Sequence, residues 1–241
     1  MNLDILAIGA HPDDVELSCA GTLAKAVKHG AKVAIIDLTE GELGTRGDRV
    51  IRAKEATKAA SILGCTRENL GLPDGGIEVS ERNLRLLIRS IRKFRPKILL
   101  IPHWMERHPD HVHAHHLCRE AWFYSGLRKL RTTLNGKAQE PWRPHNYYHF
   151  MQWYEFTPSF IVDISDAYHI RMESIKAHKS QFFNPESKEP QTFLSTESFF
   201  DLVETRAKNY GIKIGAKYGE PFYSVESVGI NNLFDLHMFK G

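Results

Sequence analysis

Residues 3–14 read Leu-Asp-Ile-Leu-Ala-Ile-Gly-Ala-His-Pro-Asp-Asp. The apolar run Leu3–Ala10 has the length and pattern of a buried β-strand. It ends in an imidazole, a ring-locked turn residue and two carboxylates. A second stretch has the same grammar: the run Lys97–Pro102 leads through His103 to Arg-His-Pro-Asp-His at residues 107–111. In open α/β sheets, ligands bind in the crevice beyond the strand C-termini. Imidazoles and carboxylates are ligands that zinc takes, and two clusters of them at two strand ends make a metal-site hypothesis.

Working outward from residue 14, strand and helix patterns alternate. A helix is expected from Val15 to His29, closed by Gly30, then a strand over Lys32–Leu38. A glycine-punctuated loop follows at Thr39–Gly47. A helix over Arg49–Leu63 stops at Gly64, and Asn69–Leu72 reads as a short strand. Ser80 is placed to cap a helix with the stripe Leu84, Leu87, Ile88 and Ile91, which ends before Pro96. The strand Lys97–Ile101 and a helix over Asp110–Tyr124 complete the first half. Strands joined by crossover helices argue for a mostly parallel sheet with helices on both faces.

The second half is less regular. Asn146–Met151 and Phe160–Ile164 read as strands. Ser165 is placed to cap a helix running to Phe182, and Thr196–Tyr210 reads as another helix. Asn135–His145 and Asn184–Gln191 read as polar loops. The expectation is one domain over residues 1–241, with a core at 1–130 and a C-terminal subregion at 131–241 that shapes the pocket.

Composition bounds the function. The chain has 241 residues, 42% hydrophobic and 25% charged, with a net charge of +3. These are values of an ordinary globular protein. No Lys/Arg block of the nucleic-acid type occurs. Arg89–Lys93 reads as the solvated face of a helix, and Arg128–Arg131 is the best remaining basic patch. No stretch has the length of a membrane span and no signal-peptide pattern opens the chain. The three cysteines, Cys19, Cys65 and Cys118, lie far apart and read as buried thiols in a reducing compartment, which makes the cytoplasm the expected location.

The chemistry rests on how the two clusters divide their tasks. If His11 and Asp14 bind a metal, Asp13 is left beside it, placed to act as general base. The competing reading is that Asp13 or Asp14 only caps the following helix. The region 103–116 holds six histidines. Pro109 suits a first helical turn, which puts His111 in that turn and His108 in the loop before it. His111 is then a third ligand, and His108 faces the site unligated. The rival is an i,i+4 pair, His111 with His115. His113, His115 and His116 read as structural or surface residues, and His103 stays ambiguous. Three protein ligands leave a coordination position open, the catalytic arrangement.

The combination Ala-His-Pro-Asp-Asp, Thr-x-Gly-Glu-x-Gly-Thr-Arg-Gly and Arg-His-Pro-Asp-His resembles the zinc-dependent PIG-L / LmbE-like N-acetylglucosaminyl deacetylases. The resemblance spans nearly the whole chain and implies a Rossmann-like sheet with the site at the strand C-terminal ends. Within the family the chain is most similar to the bacillithiol-biosynthesis deacetylases, which act on N-acetylglucosaminyl-malate; Arg52–Ala56 and Ala177–Gln181 contribute to that match. The resemblance implies His11, Asp14 and His111 as ligands of Zn2+, Asp13 as general base, and His108 as a positively charged oxyanion stabiliser. It further implies that Arg52 and Arg107 bind the malate carboxylates, with Glu42 as a hydroxyl contact. Some relatives supply an oxyanion tyrosine where Phe199 or Phe200 stands, which leaves Tyr154 or Tyr218 as substitutes. Family members are often trimers or hexamers, so a homo-oligomer is expected. The alternatives are a two-metal phosphoesterase and a non-catalytic sugar-binding module.

Overall fold

The computed structural model of the chain describes residues 2–236. The first apolar run forms β1 (Ile5–Gly9). There follow α1 (Asp14–Lys28), β2 (Val33–Thr39), α2 (Arg49–Leu63), β3 (Thr66–Leu72), α3 (Glu81–Phe94), β4 (Ile98–Pro102) and α4 (Pro109–Ser125). The second half adds β5 (Thr133–Leu134), β6 (Lys137–Ala138), β7 (Asn146–Phe150), β8 (Phe160–Asp163), α5 (Tyr168–Lys176), α6 (Glu197–Ile212) and β9 (Gly219–Tyr223).

Seven strands make one sheet in the order β3-β2-β1-β4-β7-β9-β8. The first five are parallel, and β9 runs antiparallel to both its neighbours. The expected α/β sheet is therefore the one observed. The chain winds outward from β1 through β2 to β3, then crosses to the other side of β1 to place β4. That reversal opens a crevice at the C-terminal ends of β1 and β4, where the two His-Pro-Asp clusters emerge.

Alternation along the strands divides the core between the two faces. Leu6 and Ile8 of β1 pack with Leu87, Ile88 and Ile91 of α3 and Leu117 of α4. Ala7, between them in sequence, packs on the opposite face with Val15, Cys19 and Leu23 of α1. The helices are closed by local chemistry. Ser80 Oγ accepts the Asn83 N–H, as its position predicts, and Gly64 ends α2 in the left-handed region at φ 71°.

Several elements differ from the sequence reading. β3 begins three residues before Asn69, because Thr66–Glu68 extend the ladder against Ala34–Ile36. The loop at Asn135–His145 begins with the turn of a hairpin: Asn135 and Gly136 have φ of 50° and 75°, the conformation that a two-residue turn between right-twisted strands demands. The helix expected from Ser165 to Phe182 is α5 alone. Ser165 does not cap it; its Oγ donates to Asp163 Oδ1 and accepts the N–H of Lys217 and Tyr218. β9 is not legible in the sequence because Pro221 interrupts its pattern; proline is uncommon in interior strands. Arg92 corrects the reading of Arg89–Lys93 as a solvated face. Its buried guanidinium donates to the carbonyls of Ser125, Leu127 and Leu130 and to Thr132 Oγ1. Among the described residues, no helix is long and apolar enough to cross a membrane.

Candidate active site

The turn after β1 carries His11, Asp13 and Asp14. Asp13 occupies the N-cap position of α1 with φ 122°, a region that L-residues rarely adopt, yet its side chain caps nothing. The capping alternative thus fails for Asp13. Asp14 turns back instead, and its Oδ2 accepts the His11 N–H at 2.8 Å. Its other oxygen lies 3.1 Å from His111 Nε2, in the first turn of α4.

His11, Asp14 and His111 each offer a ligand atom, and these atoms all lie within 4.8 Å of one another. That spacing suits donors around a single ion, since zinc holds nitrogen and oxygen ligands at about 2 Å. The chemistry of the surroundings agrees. His11 Nε2 also meets Asp74 Oδ1 at 3.0 Å and Asp110 Oδ2 at 3.3 Å. Burial works against a charged His11, but Asp110, Asp14 and Asp74 outweigh it and hold its pKa well above the ordinary histidine value. Burial also disfavours the Asp14 carboxylate, and His111 with His11 outweighs it, holding that pKa well below the usual range. Such a crowd of carboxylates calls for positive charge, which a metal ion supplies. His11, His108 and Asp110 form a second possible donor group, but it shares His11 with the first. The rival His111–His115 pair does not form. His115 Nδ1 faces the Pro102 carbonyl at 3.2 Å, and its ring packs on His149.

Asp13 is held from the other side by Arg52 of α2. The buried guanidinium donates to the carbonyls of Gly41 at 2.7 Å and Pro12 at 2.8 Å, and to Asp13 Oδ2 at 3.3 Å. Gly41 has φ 69°, and a Cβ there would fall 1.9 Å from the Arg52 fork, so this approach requires glycine. Burial pushes Asp13 up to about 6, opposed by the Arg52 charge. His108 caps α4, its Nδ1 accepting the Asp110 N–H at 3.2 Å. That bond leaves the proton of a neutral ring on Nε2. Burial, then the charges of His11 and His111, lower the His108 pKa.

One pocket of about 300 Å³ joins these groups. Arg107 lines it with its guanidinium 4.8 Å from the Trp153 ring, and Arg206 reaches it from α6. Arg52 lines it too, although its fork is already engaged by two carbonyls and Asp13. Glu42 is exposed and lies outside the lining; its Oε1 accepts the Asp74 N–H at 2.8 Å. Phe199 lines the pocket and stacks on Phe182. Tyr154 and Tyr218 do not line it, and Tyr218 instead stacks on Tyr168 and donates to Glu204. His103 proves structural, its Nε2 2.6 Å from Glu106 Oε1.

Sequence reasoning missed Asp74 and gave Asp110 a role only as a possible extra ligand in the two-metal alternative. The signal for Asp74 was present: Pro73-Asp74-Gly75-Gly76 follows a strand as the two histidine clusters do. Asp110 sits inside the second cluster, and its Oδ2 also accepts the Gly75 N–H at 2.7 Å, which ties the two loops together.

Known proteins are similar to this chain in sequence and fold. Residues 6–122 match the PIG-L family, described as GlcNAc-PI de-N-acetylase. The diacetylchitobiose deacetylase of Thermococcus kodakarensis is 31% identical over 90% of this chain and 80% of its own. The chain belongs to the PIG-L family. A conserved protein of Thermus thermophilus superposes with a TM-score of 0.85 at 34% identity, over 96% of this chain and 98% of its own. The N,N'-diacetylchitobiose deacetylase of Pyrococcus horikoshii, solved with an inhibitor, gives 0.76 at 28%, over 91% and 82%. This PIG-L family member is a hydrolase of amide bonds, which removes the non-catalytic binding module from consideration.

Proposed function

We propose that the chain removes acetate from the acetamide of an N-acetylglucosamine conjugate, with zinc held by His11, Asp14 and His111. The observation that carries the reading is Asp13: a buried carboxylate beside the donor set, engaged neither as a cap nor among those donors. Bound there, the ion supplies a Lewis acid and a water acidified toward neutral pH. Asp13 takes the proton of the attacking water on a carboxylate oxygen and passes it to the departing nitrogen. With a pKa of about 6 it is mostly ionised at pH 7 and remains basic enough to accept the proton. His108 Nε2–H donates to the developing oxyanion. Arg52 keeps Asp13 facing the site.

The conjugate we propose is N-acetylglucosaminyl-L-malate, a step in bacillithiol biosynthesis in the cytoplasm. Arg107 supports it as an exposed guanidinium at the pocket mouth, with Arg206 further along the wall. The deacetylases named above suggest diacetylchitobiose as a second substrate to compare. A two-metal phosphoesterase is disfavoured, because the two donor groups share His11. The test is acetate release by the zinc-loaded chain from the malate conjugate, diacetylchitobiose and free N-acetylglucosamine. Preference for the malate conjugate supports the assignment. Equal turnover of the chitobiose replaces the substrate, and no release from any of them overturns the sugar reading.

A further inference from the structure

With the Arg52 fork engaged by two carbonyls and Asp13, Arg107 is the exposed guanidinium that the pocket offers to an anionic group. A long exposed side chain samples several rotamers unless a neighbour holds it. Here the neighbour is a ring. The Arg107 guanidinium lies 4.8 Å from the centroid of Trp153, which also lines the pocket. Stacking occupies the face of a guanidinium and leaves its in-plane N–H groups directed outward, the edge that meets a carboxylate bidentately.

Trp153 is itself fixed by two charged side chains on opposite edges of one short segment. Oε1 of the buried Glu106 accepts the N–H of Trp153 at 2.7 Å and that of Tyr154 at 3.1 Å. Its Oε2 accepts the Arg107 N–H at 3.0 Å. From α6, the half-buried Arg206 donates to the carbonyl of Gln152 and, at 3.3 Å, to that of Trp153. Phe193 meets the indole edge-on, with ring centroids 5.2 Å apart. The N–H and C=O groups of residues 152–154 are thus held by charge-assisted bonds, which are stronger than neutral ones. The loop before α4, the segment after β7 and helix α6 converge on one indole.

We propose that Glu106 and Arg206 are positioning residues for substrate selectivity: they clamp residues 152–154 so that Trp153 aims Arg107 at a carboxylate of the aglycone. The inference rests on the reading of an acidic sugar conjugate given above. Arg206 does not take the carboxylate itself, because its guanidinium is spent on two carbonyls. Selectivity comes from preorganisation: Arg107 is ordered before the substrate arrives, so binding does not bear that cost.

The test measures KM and kcat of the full zinc-loaded chain on the malate conjugate and on neutral diacetylchitobiose. Wild type is compared with Arg206→Met, Trp153→Leu and Trp153→Phe, with thermal midpoints checking that each is folded. Arg206→Met and Trp153→Leu are expected to raise KM about 2–10-fold more for the malate conjugate than for the chitobiose, the worth of one ordered side chain. The change should fall on KM rather than kcat. Trp153→Phe keeps a ring face and is expected to recover most of the selectivity. In an Arg107→Ala background the selective effect of Arg206→Met should vanish, because the group it positions is gone. Persistence in that background would make Arg206 a direct carboxylate contact and overturn the proposal, as would an equal rise in KM for both substrates. A wild type without turnover of the malate conjugate, or without preference for it, would instead overturn the substrate reading. Amide hydrogen exchange over residues 152–154 then judges the clamp alone: it should quicken in Arg206→Met, and unchanged exchange overturns the clamp.

Discussion

Asp13 and Arg52 concentrate the questions at the scale of single residues. Replacing Asp13 by Asn removes the proton acceptor while keeping size and hydrogen bonding. Activity is expected to fall roughly 10²–10⁴-fold, the usual worth of general-base catalysis, with zinc content by elemental analysis unchanged. Loss of the metal instead would make Asp13 a ligand. Arg52→Lys separates two roles the sequence could not. Lysine cannot reproduce a fork that reaches two carbonyls and a carboxylate. The rate should therefore fall equally on malate-bearing and neutral sugars. A loss confined to the malate conjugate would return Arg52 to carboxylate binding. The residue types and spacing of His11, Asp14 and His111 were legible because the motif itself holds them at two strand ends. The engagement of Arg52 was not, because its partners Pro12 and Gly41 are backbone carbonyls brought near only by tertiary packing.

The elements that present the site are pinned from below by buried charge. Arg67 of β3 bonds Glu16 of α1 and, at 2.7 Å, Asp37 of β2. Removing one partner of such a cluster leaves uncompensated charge in the interior. Arg67→Met is expected to destabilise the fold by about 3–5 kcal/mol in urea titrations. α1 is held from its other side by Glu220 of β9, whose oxygens accept the N–H of Gly21 and Thr22 at 2.9 and 2.7 Å. A Cβ on Gly21 would sit 2.7 Å from Ile164 and 2.9 Å from Glu220. Gly21→Ala should accordingly lower the thermal midpoint although alanine favours helix, and an unchanged midpoint would show that α1 can shift to make room. Helices and strands with regular periodicity were readable in advance. β9 was not, since Pro221 breaks the pattern of a strand that non-local pairing nonetheless holds between β7 and β8.

Across the whole molecule, acid stability should follow the imidazoles buried away from the site. Burial, with smaller contributions from His115 and His103, lowers His149 to about 3, and burial lowers His115 to about 4. Between those values and the ordinary 6.5, the unfolded chain binds the proton and the folded chain does not. Stability is then intact above pH 6.5 and is lost on acidification, at up to about 1.4 kcal/mol per pH unit for each group. His149→Phe is expected to flatten that slope in denaturation curves taken at successive pH values, and an unchanged slope would assign the acid sensitivity elsewhere. The sheet order has a consequence for how the protein is made. Among the described residues β8 is paired only with β9, and β9, though the last strand in sequence order, lies between β7 and β8. On the ribosome β1 to β7 can assemble as they emerge, but β8 waits until residues 219–223 arrive, while the open edge of β7 stands ready to pair with another nascent chain. Translation stalled short of residue 219 should leave a product that needs chaperone protection, whereas release after β9 closes that edge.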